Sequence, residues 1–137
     1  MRQVSVGIIS RDGQVLACQR KPAAVYPLKW EFPGGKMEAG ESPAQALARE
    51  LHEELAIDAV IGEEYHRQEW TYAEGVDDPG RNGSFRVHYF RVRSFSGDPT
   101  NKAFHQILWV TPQELLTMDI LEGNREVVAR LAAESRD

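Results

Sequence analysis

Residues 34–57 read GGKMEAGESPAQALARELHEELAI, a glycine-rich turn that runs into a strongly patterned helix. Ser42 can cap that helix, Pro43 suits its first turn, and Gln45 lies at the spacing of a capping box. The apolar positions at helical spacing are Ala44, Leu47, Ala48, Leu51 and Leu55. An amphipathic helix is stable when its apolar face packs on another layer. The pattern therefore predicts a helix that packs against a sheet.

The same helix carries three glutamates, Glu50, Glu53 and Glu54, in a sector separate from the apolar one. Like charges at this spacing repel one another, and a hard divalent cation such as Mg²⁺, which prefers oxygen ligands, would relieve that repulsion. A solvated acidic helix face would show the same three residues, because glutamate is a common surface helix former. The surroundings favour the functional interpretation, since a glycine turn, a lysine, Glu41 and Arg49 lie just ahead of the glutamates.

In this arrangement, residues 34–57 closely resemble the Nudix box. That motif has a glycine, a glutamate, an Arg-Glu pair, an aliphatic residue, a Glu-Glu pair and a second aliphatic residue at fixed spacing. The positions that match in register are Gly35, Glu41, Arg49, Glu50, Leu51, Glu53, Glu54 and Ile57. Ala56 departs from the motif, because the family has glycine at this helix C-terminus, where a left-handed backbone is common. Alanine in that conformation costs about 1 kcal/mol and concerns the helix end more than the metal site.

The resemblance implies an α/β fold of the Nudix type, an α/β/α sandwich with a mixed β-sheet between helices. It also implies hydrolysis of a nucleoside diphosphate linked to another moiety, with Mg²⁺ or Mn²⁺ bound by the box. Carried over by position, the candidate metal ligands are Glu50, Glu53, Glu54 and the carbonyl oxygen of Gly34. Glu53 or Glu50 would accept the proton of the attacking water, and Arg49 would orient the glutamates. Gly34 has the alternative role of forming only the sharp turn.

The surrounding chain resembles the MutT branch of this family, which converts nucleoside triphosphates to monophosphate and pyrophosphate. The candidate substrate-binding residues are Arg20, Phe32, Lys36 and Asn124. Asn124 lies where the branch places an asparagine that hydrogen-bonds the purine edge, but it can also cap the last helix. Phe32 can stack on a base or fill the core, and Lys36 can contact a phosphate or remain solvated.

The predicted activity is that of a Mg²⁺-dependent pyrophosphohydrolase of nucleoside triphosphates, including oxidised ones such as 8-oxo-dGTP. One alternative is hydrolysis of another nucleoside-diphosphate-linked compound: a nucleotide sugar, ADP-ribose, a dinucleoside polyphosphate or an RNA 5′ end. A second alternative is a non-catalytic nucleotide-sensing module. The intact Arg49-Glu50 and Glu53-Glu54 pairs argue against that module.

Two features depart from the MutT pattern. Many enzymes of the branch carry a further metal-binding glutamate before the last strand, whereas residues 101–110 contain no carboxylate. His105 lies in that region and is a metal ligand, a base near neutral pH or a structural residue. The polar segment Ala73–Gly83, with Asp77 and Asp78, is either a mobile hairpin tip or a gating loop that supplies the missing carboxylate.

Shorter patterns predict the rest of the fold. Two apolar runs, Val4–Ile9 and Val15–Cys18, flank a turn at Arg11–Gly13 and indicate an opening hairpin. Further elements are expected as strands at Phe85–Arg93 and Ile107–Val110, and as helices after Thr111 and around Val127, Val128 and Leu131.

The composition limits the function further. The 137 residues carry 16 Lys and Arg against 21 Asp and Glu, and the net charge of −5 gives no broad attraction to duplex nucleic acid or an anionic membrane. Cys18 is the only cysteine, which excludes an intramolecular disulfide and suits a reducing compartment. The apolar run at the N-terminus is too short and polar for a signal peptide or a membrane span. We expect one domain over residues 1–137, a cytoplasmic monomer or homodimer that binds a nucleotide and neither a membrane nor a long nucleic acid.

Overall fold

The computed structural model describes residues 1–72 and 83–135. In chain order its elements are β1 (Arg2–Ile8), β2 (Ser10–Arg11), β3 (Gln14–Gln19), β4 (Trp30–Glu31), β5 (Gly34–Lys36), α1 (Pro43–Leu55), β6 (Asp58–Tyr72), β7 (Gly83–Ser96), β8 (Gln106–Val110), α2 (Pro112–Leu116) and α3 (Arg125–Glu134). A short 3₁₀ turn, Glu122–Asn124, lies between α2 and α3.

The strands form two sheets. In the first sheet the order is β5-β1-β7-β6, and β1 runs parallel to β7 while the other neighbours are antiparallel, which makes the sheet mixed. In the second sheet β3 pairs antiparallel with β2, β4 and β8. The expected mixed sheet is confirmed, and the structure has a second, antiparallel sheet as well.

Helices cover both faces of the first sheet. A Cβ atom on Gly7 of β1 would lie 3.3 Å from the Leu47 side chain, so this face of the strand packs on α1. Val6 and Ile8 point to the opposite face, because side chains alternate along a strand. There they share a core cluster with Val127 of α3. The α/β/α arrangement that the sequence predicts is therefore present.

Helix α1 begins and ends as its sequence predicts. The Ser42 Oγ accepts a hydrogen bond from the Gln45 backbone N–H at 3.2 Å, and the Gln45 side chain accepts one from the Ser42 N–H at 2.9 Å. Ala56 adopts the left-handed conformation, with φ of 55°. The fully buried residues of α1 are Ala46, Leu47, Leu51 and Leu55. The predicted apolar face is thus confirmed at its leucines, whereas Ala44 and Ala48 are half-buried.

The predicted opening hairpin is wrong over most of its length. Strand β1 pairs with β5 and β7 in the first sheet, whereas β3 belongs to the second sheet. Only the short strand β2 pairs with β3 around the predicted turn. The chain changes sheets at Ile9, whose carbonyl oxygen accepts a hydrogen bond from the Leu16 N–H. Both apolar runs are strands, but their hydrophobicity does not specify which neighbour each strand takes.

Strands β6 and β7 form a long antiparallel pair beside β1. The sequence did not predict β6, because shifts of register between Val60 and His66 interrupt its alternation. The strands predicted at Phe85–Arg93 and Ile107–Val110 are confirmed within β7 and β8.

The polar loop predicted between β6 and β7 lies almost wholly outside the described residues. Residues 73–82, which include Asp77 and Asp78, belong to that part of the chain. The predicted Gly83 end is the first residue of β7. The gating role of this loop therefore stays a prediction.

The C-terminal part of the chain follows its patterns. Thr111 and Glu114 form a capping box at the start of α2. Helix α3 buries Val127, Val128 and Leu131, as predicted. In the described parts of the chain, the helices are all too short or too polar to cross a membrane.

Candidate active site

Arg49 of α1 is the centre of an ion-pair cluster at the edge of the first sheet. Its guanidinium donates two hydrogen bonds to the Glu41 carboxylate, at 2.7 and 3.0 Å, and a third to Glu50 at 2.9 Å. It also donates to the backbone carbonyl oxygen of Lys36 at 3.0 Å, which ties the helix to β5. The hydrogen bond between Arg49 and Glu41 lowers the pKa of the Glu41 carboxyl group and raises the pKa of the Arg49 guanidinium. These charge-assisted bonds hold both groups ionised and fix the geometry of the cluster.

The Glu50 carboxylate occupies the place that a side chain on Gly35 would take. A Cβ atom on Gly35 would lie 2.4 Å from the Glu50 carboxyl carbon, so any other residue would displace the carboxylate. The Glu50 side chain is 17% exposed. Burial raises the pKa of Glu50, although the hydrogen bond from Arg49 opposes this effect. A carboxylate with a raised pKa is a better proton acceptor than a solvated glutamate.

Glu54 is held by the glycine turn. The Gly34 N–H donates a hydrogen bond to Glu54 Oε1 at 3.0 Å. A Cβ atom on Gly34 would lie 2.1 Å from the backbone oxygen of Ser5, so only glycine fits this close approach of β5 to β1. At the end of α1, the backbone N–H groups of Thr100 and Lys102 donate to the last carbonyl oxygens of the helix at 2.8 and 3.0 Å. The glutamate end of α1 is therefore fastened to two other segments.

Glu53 is the most exposed of the three glutamates. Its side chain is 56% exposed, and its carboxylate lies 3.5 Å from Arg49. Within residues 1–72 and 83–135, no cluster of three or more carboxylate, imidazole or thiol groups lies close enough together to hold a metal ion. The structure thus places Glu50, Glu53 and Glu54 on one side of α1 near β5 but does not bring their carboxylates to one point.

A cleft of about 200 Å³ opens beside β5. The lining residues are Val4, Val6, Glu31, Phe32, Gly34, Gly35, Lys36, Gln68, Trp70, Phe85, Val87, Tyr89, Leu121, Gly123 and Asn124. Most of its walls are apolar, and its polar groups are few, as in typical sites for small molecules. Gly35 of β5 is part of the wall and also lies beside the Glu50 carboxylate, so the cleft and Glu50 meet at the same strand.

Glu31 brings a buried negative charge to the wall of the cleft. Its carboxylate lies 3.2 Å from Arg20 Nη1, and the Arg20 and Glu31 side chains are only 7% and 8% exposed. Arg20 also donates from Nε to the Val25 carbonyl oxygen at 2.7 Å. The structure places the predicted substrate residue Arg20 behind Glu31, outside the lining of the cleft.

Asn124 precedes α3, but its side chain makes no capping hydrogen bond. Its Oδ1 lies 2.7 Å from the Tyr89 hydroxyl instead, and the residue is 6% exposed. The Tyr89 hydroxyl also lies 3.1 Å from the Gly123 carbonyl oxygen, to which the Gln68 side chain donates. The helix-cap alternative is therefore not what the structure shows, and Asn124 is part of the cleft wall.

The remaining candidates occupy different surroundings. Phe32 is buried in the core and also lines the cleft, so its two alternative roles coincide. Lys36 is exposed at the β5 end of the cleft. The His105 side chain is exposed, and its backbone N–H donates to the Gln19 carbonyl oxygen at 2.9 Å beside β8. The backbone of His105 thus has a structural role, while a role of its ring as a metal ligand stays a prediction.

Comparison with known proteins agrees with this geometry. The family model described as NUDIX domain matches residues 1–131. The chain belongs to the NUDIX domain family.

Relatives of this Nudix chain match it over most of their length. It is 34% identical over 136 residues to the 8-oxo-dGTP diphosphatase of Haemophilus influenzae, with 98% of this chain and 94% of the relative covered. It is 37% identical over 116 residues to the CTP pyrophosphohydrolase of Escherichia coli, with 85% and 80% covered. A solved MutT structure, described for Aliivibrio salmonicida and Vibrio cholerae, has a TM-score of 0.72 at 28% identity and covers 97% of this chain and 98% of that chain. The predicted resemblance to the MutT branch of the Nudix hydrolases is confirmed.

A divalent cation is the cofactor that Nudix hydrolases generally need. The groups at the box fit this requirement, because Glu50, Glu53, Glu54 and the Gly34 carbonyl offer only oxygen donors, which hard divalent cations prefer. Arg49 keeps Glu50 beside Gly35, so part of this oxygen set is held in place by the protein itself.

Sequence reasoning missed several residues of this Nudix cleft. Gln68 and Trp70 lie on β6, whose interrupted alternation concealed the strand. Tyr89 lies on a predicted strand. Its spacing of two residues from Val87 and four from Phe85 could have placed it on the same face of that strand as these two residues.

Proposed function

We propose that this Nudix hydrolase is a Mg²⁺-dependent pyrophosphohydrolase of nucleoside triphosphates, including oxidised forms such as 8-oxo-dGTP. One observation carries the proposal: the apolar cleft that contains Asn124 and Glu31 also contains Gly35, which touches Glu50. A base bound in the cleft would therefore place the phosphates of the same nucleotide near the glutamates of α1. The printed names of the Haemophilus influenzae and Escherichia coli relatives support a nucleoside triphosphate as the substrate.

The chemistry follows from the carboxylates of α1. Glu50, Glu53, Glu54 and the Gly34 carbonyl would hold the cation, and Mg²⁺, or Mn²⁺ in its place, would neutralise phosphate charge and lower the pKa of a water molecule. Glu50 or Glu53 accepts the proton of the attacking water, while Arg49 holds Glu50 in position. The water oxygen bonds to one of the two phosphorus atoms of the α–β bridge, the bond from that phosphorus to the bridging oxygen breaks, and the products are the nucleoside monophosphate and pyrophosphate.

The other candidate residues divide between the two ends of the nucleotide. Lys36, at the β5 end of the cleft, would contact a phosphate as a mobile positive charge. Phe32 and Trp70 offer aromatic surface to the base. Asn124 offers the amide that meets the base edge, and Arg20 acts through its ion pair with Glu31.

For the chain as a whole, we infer a single domain over residues 1–137 that works as a monomer or homodimer in the cytoplasm. The NUDIX match to residues 1–131 supports one domain, and the buried free thiol of Cys18 suits a reducing compartment. The net charge of −5 favours a small nucleotide over a long nucleic acid as the ligand.

The test is a Mg²⁺-dependent phosphate-release screen coupled to pyrophosphatase, with the products identified by mass spectrometry. The panel contains canonical and oxidised nucleoside triphosphates, ADP-ribose, nucleotide sugars and dinucleoside polyphosphates. Conversion of a nucleoside triphosphate to monophosphate and pyrophosphate is the expected result. Turnover of diphosphate-linked compounds alone, or no turnover at all, contradicts the proposal.

Replacement of a glutamate separates catalysis from binding. Glu53→Gln removes a charge and a proton acceptor without changing the size of the side chain, so we expect kcat to fall by about 10²-fold or more while nucleotide binding persists. The matched control is Glu63→Gln, because Glu63 is 76% exposed on β6 and its carboxylate lies 3.9 Å from Arg91. Equal turnover of the two variants would remove Glu53 from the mechanism.

A further inference from the structure

Ser5 of β1 carries a buried hydroxyl group without a hydrogen-bond partner. The residue is 0% exposed, and in the part of the chain that the structure describes its Oγ makes no hydrogen bond. A serine hydroxyl can both donate and accept, and burying it unpaired destabilises the state that contains it. Such groups are rare in folded proteins, so this one indicates a partner that it meets in another state of the molecule.

Ser5 lies on the face of the first sheet that packs on α1. It is two residues before Gly7 in β1, and positions two residues apart in a strand share a face. A Cβ atom on Gly7 would lie 3.3 Å from Leu47 and 3.4 Å from Leu51, both on α1. In the neighbouring strand β5, the residue directly opposite Ser5 is Gly35. The Ser5 hydroxyl is therefore buried between the sheet and α1, beside Gly35.

The Glu50 carboxylate is the cross-strand neighbour of the Ser5 side chain. Directly opposite residues of an antiparallel pair have Cβ atoms about 5 Å apart. Gly35 has no side chain, and a Cβ atom there would lie 2.6 and 2.7 Å from the two carboxylate oxygens of Glu50. Arg49 donates to Glu50 Oε1, and no other described group donates to Oε2. An unpaired donor thus lies next to a carboxylate oxygen that has no donor.

On its other sides, Ser5 faces groups that are apolar or already paired. His88 lies opposite Ser5 in β7. Both of its ring nitrogens have partners, Nδ1 with Glu64 at 2.7 Å and Nε2 with Gln3 at 2.6 Å. The residues of α1 above Gly7 are leucines, which have no acceptor. These neighbours leave the Glu50 carboxylate as the acceptor for the Ser5 proton.

We propose that Ser5 is a positioning residue for the cation site, and that its hydroxyl donates to the Glu50 carboxylate when Glu50 binds the divalent cation. This role rests on the proposed function, because it takes Glu50 as a ligand of the cation. Carboxylates that bind a metal ion are oriented by hydrogen bonds from surrounding groups. Arg49 supplies one such bond but adds a positive charge, which repels a cation. The hydroxyl of Ser5 supplies one without a charge.

The unpaired hydroxyl also affects the equilibrium between the two states. Without the cation, Ser5 destabilises the protein, because its hydroxyl is buried and unpaired. With the cation, the new hydrogen bond stabilises Glu50 in its binding orientation. Ser5 therefore favours the cation-bound state through both effects.

The test is the affinity of the full chain for Mn²⁺ without nucleotide, measured from the electron paramagnetic resonance signal of the free ion. Ser5→Ala removes the hydroxyl alone, and we expect about tenfold weaker Mn²⁺ binding. The urea midpoint of the metal-free variant should equal or exceed that of the wild type, because an unpaired buried group is removed. A purely structural serine would give the opposite pair of results, a lower midpoint and an unchanged affinity. The matched control is Ser84→Ala on β7, whose hydroxyl lies 2.9 Å from that of Thr71, and it should leave the Mn²⁺ affinity unchanged.

A double-mutant cycle identifies the acceptor. In a Glu50→Gln background, Ser5→Ala should weaken Mn²⁺ binding little further, because the carboxylate that it positions is gone. In a Glu54→Gln background it should again weaken binding by about tenfold, since Glu54 is held by the Gly34 N–H instead. An unchanged Mn²⁺ affinity in Ser5→Ala, a clearly lower midpoint of the metal-free variant, or equal effects in the two backgrounds overturns the proposal.

The same measurements separate this role of Ser5 from the proposed function. Mn²⁺ binding needs no substrate, so the expected loss in Ser5→Ala supports the role of Ser5 even if no nucleoside triphosphate is hydrolysed. Hydrolysis of a nucleoside triphosphate together with equal Mn²⁺ affinities of the wild type and Ser5→Ala leaves the proposed function standing and overturns the role of Ser5. A wild-type protein that binds no Mn²⁺ overturns the role of Ser5, and the nucleotide screen with Mg²⁺ then decides the proposed function alone.

Discussion

The two ends of the site are built in opposite ways. The charged end comes from one stretch of chain, residues 34–54, in which Arg49 binds Glu41, Glu50 and the backbone of β5. The base end of the cleft comes from distant segments, with Glu31 on β4, Gln68 on β6, Tyr89 on β7 and Asn124 before α3. The charged end is therefore specified by local spacing, whereas the base end exists only when the sheet has formed.

The largest expected effect comes from breaking the charged end at Gly35. In Gly35→Ala the new Cβ would lie 2.4 Å from the Glu50 carboxyl carbon, so the carboxylate must leave its place beside β5. A displacement of this size in a catalytic group lowers kcat by about 10²-fold or more. Because the base end does not depend on this contact, KM should change little. Steady-state kinetics with the preferred nucleotide measures both quantities.

Gly13→Ala is the matched control for that substitution. A Cβ atom on Gly13 would have no atom within 4 Å, although its φ of +78° is strained for alanine. We expect a loss of about 1 kcal/mol in unfolding free energy and unchanged turnover. Full activity of Gly35→Ala would show that Glu50 functions from another position, and the contrast between the two ends would lose its main support.

A substitution at the base end should weaken substrate binding more than it slows catalysis. Glu31→Gln removes the negative charge that pairs with Arg20, and both side chains are less than a tenth exposed. We expect KM to rise by about tenfold, because the glutamine amide replaces a charged acceptor in the cleft and pairs less well with the bound nucleotide. The change in kcat should be small, because the residues that act on the phosphates are unchanged. The buried Arg20 loses its counter-charge, so the unfolding free energy should fall by about 2 kcal/mol.

The control for the base end is Glu69→Gln on β6. Glu69 pairs with Arg86 at 3.2 Å, but its side chain is 58% exposed, and exposed pairs contribute little. Urea unfolding and steady-state kinetics are measured on both variants. A fall of kcat in Glu31→Gln with an unchanged KM would place Glu31 in the chemistry rather than in binding.

The same contrast explains how much the sequence could predict. The capping box of Ser42 and Gln45, the left-handed Ala56 and the glutamate sector follow from residues a few positions apart, and local rules are sufficient for them. The opening hairpin was wrong because β1 pairs with a strand about eighty residues away, as Ser5 opposite His88 shows. Such pairing is set by the packing of the whole sheet rather than by the strand's own pattern.

At the base end, local sequence rules also fail to predict which side chains contact one another. The sequence could place Asn124 before a helix, where a cap is its usual role. Its actual partner is Tyr89, which is contributed by β7 and becomes a neighbour only through the fold. Arg20 was predicted at the cleft, yet the structure gives that position to Glu31 and places Arg20 behind it. Residue type predicted that a polar group belongs here, and tertiary contacts decided which one lines the cleft.

The smallest expected effect compares the pH dependence of two carboxyl groups, Glu50 at the charged end and Glu64 on β6, outside the lining of the cleft. Arg67 hydrogen-bonds Glu64 on β6 and lowers the pKa of that carboxyl group from 4.5 to about 2, with a further contribution from His88. A lowered folded pKa stabilises the protein above pH 4.5, and that stabilisation is lost as the pH falls toward 2. Burial raises the pKa of Glu50, so its contribution has the opposite sign: it is present at low pH and lost as the pH rises.

Urea unfolding from pH 7 down to pH 3 tests this contrast with Glu64→Gln and Glu50→Gln. Because Glu64 is partly exposed to solvent, we expect its replacement to lower the unfolding free energy by only about 1 kcal/mol at pH 7, and the deficit should shrink as the pH falls below 4.5. Glu50→Gln should instead become less stable relative to wild type as the pH falls, because the wild-type protein gains stability there. A deficit of Glu64→Gln that stays constant across this range, or the same pH trend in both variants, would show that the surroundings of Glu64 and Glu50 do not shift their pKa values in opposite directions.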